Sequence, residues 1–211
     1  DRGATGIAGN NGRGSIGAGG EYHVWDGTTL TQVPVTAVTT AGSCAYLGGY
    51  TLVSQANGRL VQWSTLTDAA DMPALNVRAS ETTDENIIRL MAINERLVVF
   101  KSSSHEQWQV TGQANERAFA LIVGSQRQVG LADFNLVTLY PNGAAFVGSD
   151  GKVHAWASGA MQPISTPAVE AALDTMLPRR MFFYERRGHG FVCVTFRNGP
   201  AWCYDLATGE W

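Results

Sequence analysis

Short apolar runs alternate with polar or glycine-bearing turns along most of this chain. Ala45-Tyr46-Leu47 and Tyr50-Thr51-Leu52-Val53 lead to a turn at Asn57-Gly58, and Arg59-Leu60-Val61-Gln62-Trp63 returns. Ile87-Ile88-Arg89-Leu90-Met91-Ala92-Ile93 reads as a strand, Asn94-Glu95-Arg96 as a turn, and Leu97-Val98-Val99-Phe100 as a buried strand that leads through Ser102-Ser103-Ser104 to Trp108. The pattern repeats with turns at Pro141-Asn142-Gly143 and Ser149-Asp150-Gly151 around Ala144-Ala145-Phe146-Val147-Gly148, followed by Val153-His154-Ala155-Trp156. Runs this short, bounded by turn signals, are strands rather than helices. Val33, Val35 and Ala37 share one side of a further expected strand, broken by Pro34 and therefore at an edge or bend. Residues 181–206 are again strands. Two long connections, 64–85 and 111–135, separate these groups, the second with Phe119-Ala120-Leu121-Ile122-Val123 inside it.

One segment changes period. Near 166–177 a helix is expected. Ser165 or Thr166 can cap it, Pro167 suits its first position, and Val169, Ala172, Leu173 and Met176 share a face.

Five tryptophans recur at the ends of strand patterns: Trp25, Trp63, Trp108, Trp156 and Trp202, spaced 38, 45, 48 and 46 residues apart. A period of this length fits one β-propeller blade of about four short strands. The expected fold is all-β: a propeller or partial propeller of repeated antiparallel blades over 21–211, with one short helix. Residues 1–20 contain eight glycines and are expected to form a Gly-rich arm.

Composition narrows the function. Hydrophobic residues make up 45% of 211 residues, as in a globular chain, and 24 glycines suit many tight turns. A net charge of −3 argues against a surface built to grip phosphates. No apolar run reaches the length of a membrane span. The chain starts at Asp1 without an initiator Met and stops at Trp211 just after a turn, so a fragment or processed product is expected. Three cysteines are present, Cys44, Cys193 and Cys203. A hairpin turning at Asn198-Gly199 would pair Cys193 with Tyr204 and put Cys193 and Cys203 on opposite faces. Three reduced cysteines are therefore expected.

No arrangement of residues specifies a reaction. His23, His105, His154 and His189 do not sit at metal-ligand spacing. There is no Gly-x-Ser-x-Gly nucleophile turn and no phosphate-binding glycine loop. Asp68, Asp71, Glu81, Asp84 and Glu85 concentrate in the first long connection. Paired acids can hydrolyse glycosides, but a solvated loop explains them as well. Ser149-Asp150-Gly151-Lys152-Val153-His154-Ala155-Trp156 resembles the Asp-box turn of sialidase propellers, compressed and without its Thr. Arg179-Arg180 and Arg186-Arg187 flank Met181-Phe182-Phe183-Tyr184. Arginine with aromatics can bind single-stranded nucleic acid, though a core strand with solvated basic ends is the expected reading here. Catalytic, cofactor-binding and metal residues are all expected to be absent.

A family resemblance covers 46–173. It rests on Arg59-Leu60-Val61-Gln62-Trp63-Ser64 with Leu66-Thr67-Asp68, Arg78-Ala79-Ser80-Glu81 with Asp84, and Ile87-Ile88-Arg89-Leu90. It continues through Arg96-Leu97-Val98-Val99-Phe100, Glu106-Gln107-Trp108-Gln109-Val110-Thr111-Gly112, Gln128-Val129-Gly130 and Pro163-Ile164-Ser165-Thr166-Pro167-Ala168-Val169-Glu170. In this order they resemble the packaged-DNA stabilisation protein, the tail hub or nozzle, of short-tailed phages. The resemblance implies a β-propeller subunit of a hexameric ring below the portal and its adaptor. That ring would close or gate the DNA exit channel and support tail spikes or a needle. It further implies a virion protein assembled in the host cytoplasm, in transient contact with double-stranded DNA. It assigns no catalytic residue and none that faces the channel. Family members are longer, and 1–20 has no counterpart. A glycan-binding or sialidase-like propeller is the alternative, and a propeller scaffold for protein contacts the second.

Overall fold

The computed structural model describes residues 6–10, 12–81, 83–141, 143–157 and 160–211. They fall into two compact units, 1–128 and 129–211.

The first unit holds three four-stranded antiparallel blades in which each strand pairs with the next in sequence. The first blade is β1 (Gly6–Asn10), β2 (Arg13–Ala18), β3 (Glu21–Trp25) and β4 (Leu30–Gln32). The second is β5 (Ala41–Leu47), β6 (Tyr50–Gln55), β7 (Leu60–Trp63) and β8 (Val77–Ala79). The third is β9 (Ile87–Ile93), β10 (Arg96–Lys101), β11 (His105–Val110) and β12 (Phe119–Leu121), with a 3-10 turn at Asn115–Arg117 before its last strand. The second unit holds a fourth blade, β13 (Val137–Tyr140), β14 (Gly143–Val147), β15 (Val153–Ala157) and β16 (Ala160–Pro163). After α1 (Pro167–Thr175) comes a three-stranded fifth blade, β17 (Pro178–Arg186), β18 (His189–Phe196) and β19 (Trp202–Asp205).

Every repeat tryptophan lies on the third strand of its blade: Trp25 on β3, Trp63 on β7, Trp108 on β11, Trp156 on β15 and Trp202 on β19. Trp63, Trp108 and Trp156 are buried. Within each unit, neighbouring blades pack against one another. One cluster joins the second and third blades through Leu52, Trp63, Leu97, Trp108 and Phe119. Another joins the first and second through Tyr22, Val24, Val38 and Val53. A third joins the fourth blade, α1 and the fifth through Val153, Val169, Leu173, Val192 and Val194.

The helix lies where expected. Thr166 occupies the cap position but its side chain makes no capping bond; Ser165 Oγ donates to Glu170 instead, at 2.8 Å. Val169, Ala172 and Leu173 are buried, as the shared face predicts.

Three expectations need correction. The glycine-rich start is strand over Gly6–Asn10 and Arg13–Ala18, not an arm. Its glycines allow close sheet packing: a Cβ on Gly17 would come within 2.5 Å of the Gly42 carbonyl oxygen, and one on Gly6 would strike the backbone nitrogen of Cys44. Residues 33–37 are not a strand. After Pro34 the chain turns, Val33, Val35 and Val38 insert into the core, and the buried Gln62 Oε1 accepts from the Ala37 and Val38 N–H groups.

The third correction concerns the cysteines. Cys193 and Cys203 stand directly opposite each other on β18 and β19 and form a disulfide, leaving only Cys44 free. Pro200 explains the register. A two-residue turn at Asn198-Gly199 would need the N–H of residue 200 to close it, and proline has none. The connection widens to 197–201, and a one-residue slip turns every side chain of β19 to the other face.

Two short strands inside the long connections, β8 and β12, were not expected as strands. Asn142, in the turn expected at 141–143, lies outside the described residues.

Candidate functional site

The blade strands are tied into their sheets, so a site would have to gather on turns, edges or open faces. Most of the sequence candidates prove to be tied into local structure.

The acids of the first long connection do not converge. Asp68 pairs with Arg13 at 2.6 Å, Glu81 with Arg78 at 2.9 Å and Asp84 with Arg59 at 2.8 Å. Glu85 accepts from the Ser102 hydroxyl and from both the N–H and hydroxyl of Ser103. Burial would raise the Glu85 carboxyl, but these bonds outweigh it and hold the group below its ordinary value. Among the described residues four of the five candidate acids are thus engaged, which leaves no free pair there for glycoside chemistry.

The histidines are scattered. His23 on β3 meets Glu21 at 3.1 Å. His105 is buried on β11 against Phe100. His154 on β15 stacks on Phe146 and reaches Asp150 at 3.0 Å. His189 on β18 reaches Asp205 at 2.7 Å. Among the described residues no three histidines, cysteines or acids are placed to hold a metal.

The turn that resembles an Asp-box joins β14 to β15. Asp150 accepts from the Lys152 N–H and contacts His154, while Ser149 Oγ accepts from the Gly130 N–H at 2.9 Å. Gly151 takes the left-handed conformation the turn requires, φ 74°. These bonds make it a structural brace.

The third blade buries an ion pair. Lys101 Nζ lies 3.3 Å from Glu106 Oε2, both side chains essentially without solvent exposure, and Trp108 Nε1 donates to Glu106 Oε1 at 2.8 Å. Nothing in the sequence signals it, because a lysine and a glutamate on either side of Ser102-Ser103-Ser104 suit a solvated turn equally well. Cys44 is inert by environment: burial pushes its thiol up to about 12.

The basic stretch is different. β17 alternates: Met181 and Phe183 join the core of the second unit, while Phe182 and Tyr184 point the other way. The expected core strand is therefore half correct. On the outward side Phe182, Tyr184, Phe191 and His189 stack in sequence, with centroids 6.1, 5.1 and 6.1 Å apart and planes within 28°. Arg179, Arg180, Arg186 and Arg187 are exposed, and none makes an ion pair among the described residues. No described helix is long and apolar enough to cross a membrane.

Comparison with known proteins agrees with the blade architecture. Residues 2–210 match the family Phage_stabilise, described as bacteriophage P22 Gp10, beta-propeller. No curated protein matches. Among solved structures, Saccharomyces cerevisiae Sqt1 aligns over the whole chain and 61% of its own, with a TM-score of 0.71 at 15% identity. Kluyveromyces lactis Hsv2 aligns over 98% of the chain and 62% of its own, with a TM-score of 0.59 at 10% identity. A chain of a nidogen/laminin complex aligns over 98% of this chain and 77% of its own, also at 0.59 and 10%. At these identities the likeness shows fold alone. The chain spans about three fifths of the length of Sqt1 and Hsv2.

Proposed function

Because the chain belongs to the phage-stabilisation family of P22 Gp10-type β-propellers, we propose that it is a structural, non-enzymatic component of a phage tail. In this reading copies assemble into a ring, a hexamer, below the portal and its adaptor. The ring closes the exit channel so that packaged double-stranded DNA is retained until ejection. Tail spikes or a needle are its other neighbours, and assembly takes place in the host cytoplasm. The family match over 2–210 carries the reading.

Physical chemistry supports it in two ways. Asp68, Glu81, Asp84, His154 and His189 are spent on local pairs, as befits a scaffold. A chain of net charge −3 releases few counterions from DNA, so a duplex slides past it rather than sticking.

The test is DNA retention. Particles assembled without this protein should lose their packaged genome to added nuclease, and supplying the protein should restore protection. Negative-stain images of the purified protein should show a ring with a central channel. Full nuclease protection in its absence would defeat the reading.

A further inference from the structure

The register that brings Cys193 to Cys203 is held by other residues. Val192 pairs with Tyr204 and Val194 with Trp202, on either side of the two cysteines. All four belong to the apolar cluster of the second unit. Side chains alternate along a strand, so the sulfurs lie on the opposite face of the same ladder. Packing therefore sets the two thiols side by side whether or not they are joined.

The third cysteine bears on the order of events. Cys44 is buried in the seam between the first and second blades, among Tyr22, Val38 and Val53. An unfolded chain can join any two of its three cysteines. Folding encloses Cys44 within the first unit and leaves Cys193 and Cys203 as neighbours within the second. The bond present is the one that folding before oxidation selects.

We propose that Cys193 and Cys203 form a post-assembly staple: the chain folds and assembles with both as thiols, and the bond closes once the protein leaves the reducing host cytoplasm. The proposal rests on the tail reading above, in which the protein is made in the cytoplasm and works in a released particle. Disulfides are rare in the first setting and persist in the second. The oxidant is a low-molecular-weight disulfide of the glutathione class. One cysteine thiolate attacks it, giving a mixed disulfide and one small thiol. The other thiolate attacks the protein sulfur of that mixed disulfide, closing the bond and releasing the second small thiol. Two electrons pass from the cysteines to the small disulfide, and the two cysteine protons end on the released thiols. The closed bond ties β18 to β19 across 197–201 and takes freedom from the unfolded chain only after assembly is complete.

The first test reads the bond before and after release. Phage-producing cells and released particles are each dissolved in denaturant with iodoacetamide, which caps free thiols, and the peptides are read by mass spectrometry. Cys193 and Cys203 should be capped in the cells and linked in the particles. A bond already complete in intact cells, or thiols still free in particles kept with oxidised glutathione, would overturn the proposal. The second test needs no particle. The full chain, purified in reductant and transferred to oxidised glutathione, should form only the 193–203 bond when folded, and mixed pairs that include Cys44 in urea. The same mixture from both would show that the fold does not preset the pair, and would also overturn it. Particles held in reductant should lose their genome to nuclease at a lower temperature than untreated ones, and Cys193→Ala/Cys203→Ala particles should show no such difference. Reductant acting equally on both, or on neither, would remove the stapling role. DNA retention without the protein would defeat the tail reading instead, and the purified chain would still report whether folding presets the pair.

Discussion

β10 in the third blade and β17 in the fifth look alike as sequence. Each contains a continuous apolar run, Leu97-Val98-Val99-Phe100 in one and Met181-Phe182-Phe183-Tyr184 in the other. Their surroundings differ. β10 is buried at every position after Arg96, while β17 buries Met181 and leaves Tyr184 38% exposed. A run without alternation suits a strand covered on both faces. β10 has both covers, and β17 has only one. The difference teaches that β17 carries a composition suited to a second cover, and its unpaired arginines suit the same end.

The sharpest way to break this contrast is to remove a tryptophan from each kind of blade face. Trp108 is 1% exposed, fills the seam between the second and third blades, and holds Glu106. Trp108→Ala should cost about 3–5 kcal/mol. Trp25→Ala, on an open face, should cost about 1 kcal/mol or less in dilute protein. Urea denaturation of both variants measures the gap. Equal losses would mean that the first blade's outer face is as structural as the interior seams.

Much of this architecture was legible in the chain. The tryptophan period marked the third strand of each blade, because that position lies inside a hairpin with its own turn signals. The turn expected over 94–96 is the two residues Asn94 and Glu95, both at positive φ, with Arg96 already paired to Ile93. The helix was legible because Pro167 and the spacing of Val169, Ala172 and Leu173 agree. β8 and β12 were not: three-residue outer strands have no periodicity of their own and are defined by pairing with Leu60–Gln62 and Trp108–Val110. The open face of β17 was hidden because burial on one side or two is decided by neighbouring blades, not by the strand. The buried Lys101–Glu106 pair was hidden for the same reason.

The disulfide offers a second, smaller contrast between the units. It closes a short loop within the fifth blade, while the first unit's cysteine stands alone. Its loss should cost roughly 2–3 kcal/mol by restoring chain freedom to the unfolded state. Cys193→Ala/Cys203→Ala should lower the urea midpoint, and reductant should lower that of the wild type but not of the variant. A thiol reagent should find no reactive group in the native chain, one after denaturation without reductant, and all three cysteines after reduction. Three reactive thiols without reductant would restore the reduced state expected from the sequence.

The smallest expected effect separates two glycines of the first blade, and it decides whether the start of the chain is a blade or an arm. Gly17 lies where β2 meets β5. A Cβ there would come within 2.5 Å of the Gly42 carbonyl oxygen and 2.9 Å of Cys44 Sγ, and backbone cannot step aside as a flexible side chain can. Gly17→Ala should therefore destabilise by about 1–3 kcal/mol, as overpacking does. Gly9, on β1, has nothing within 4 Å of the same added atom. Gly9→Ala should be neutral or stabilise by up to about 1 kcal/mol, because alanine gives the unfolded chain less freedom to lose. Opposite signs follow only if β1 and β2 are docked strands. A flexible arm would make both substitutions silent in urea denaturation, and that result would remove the first blade.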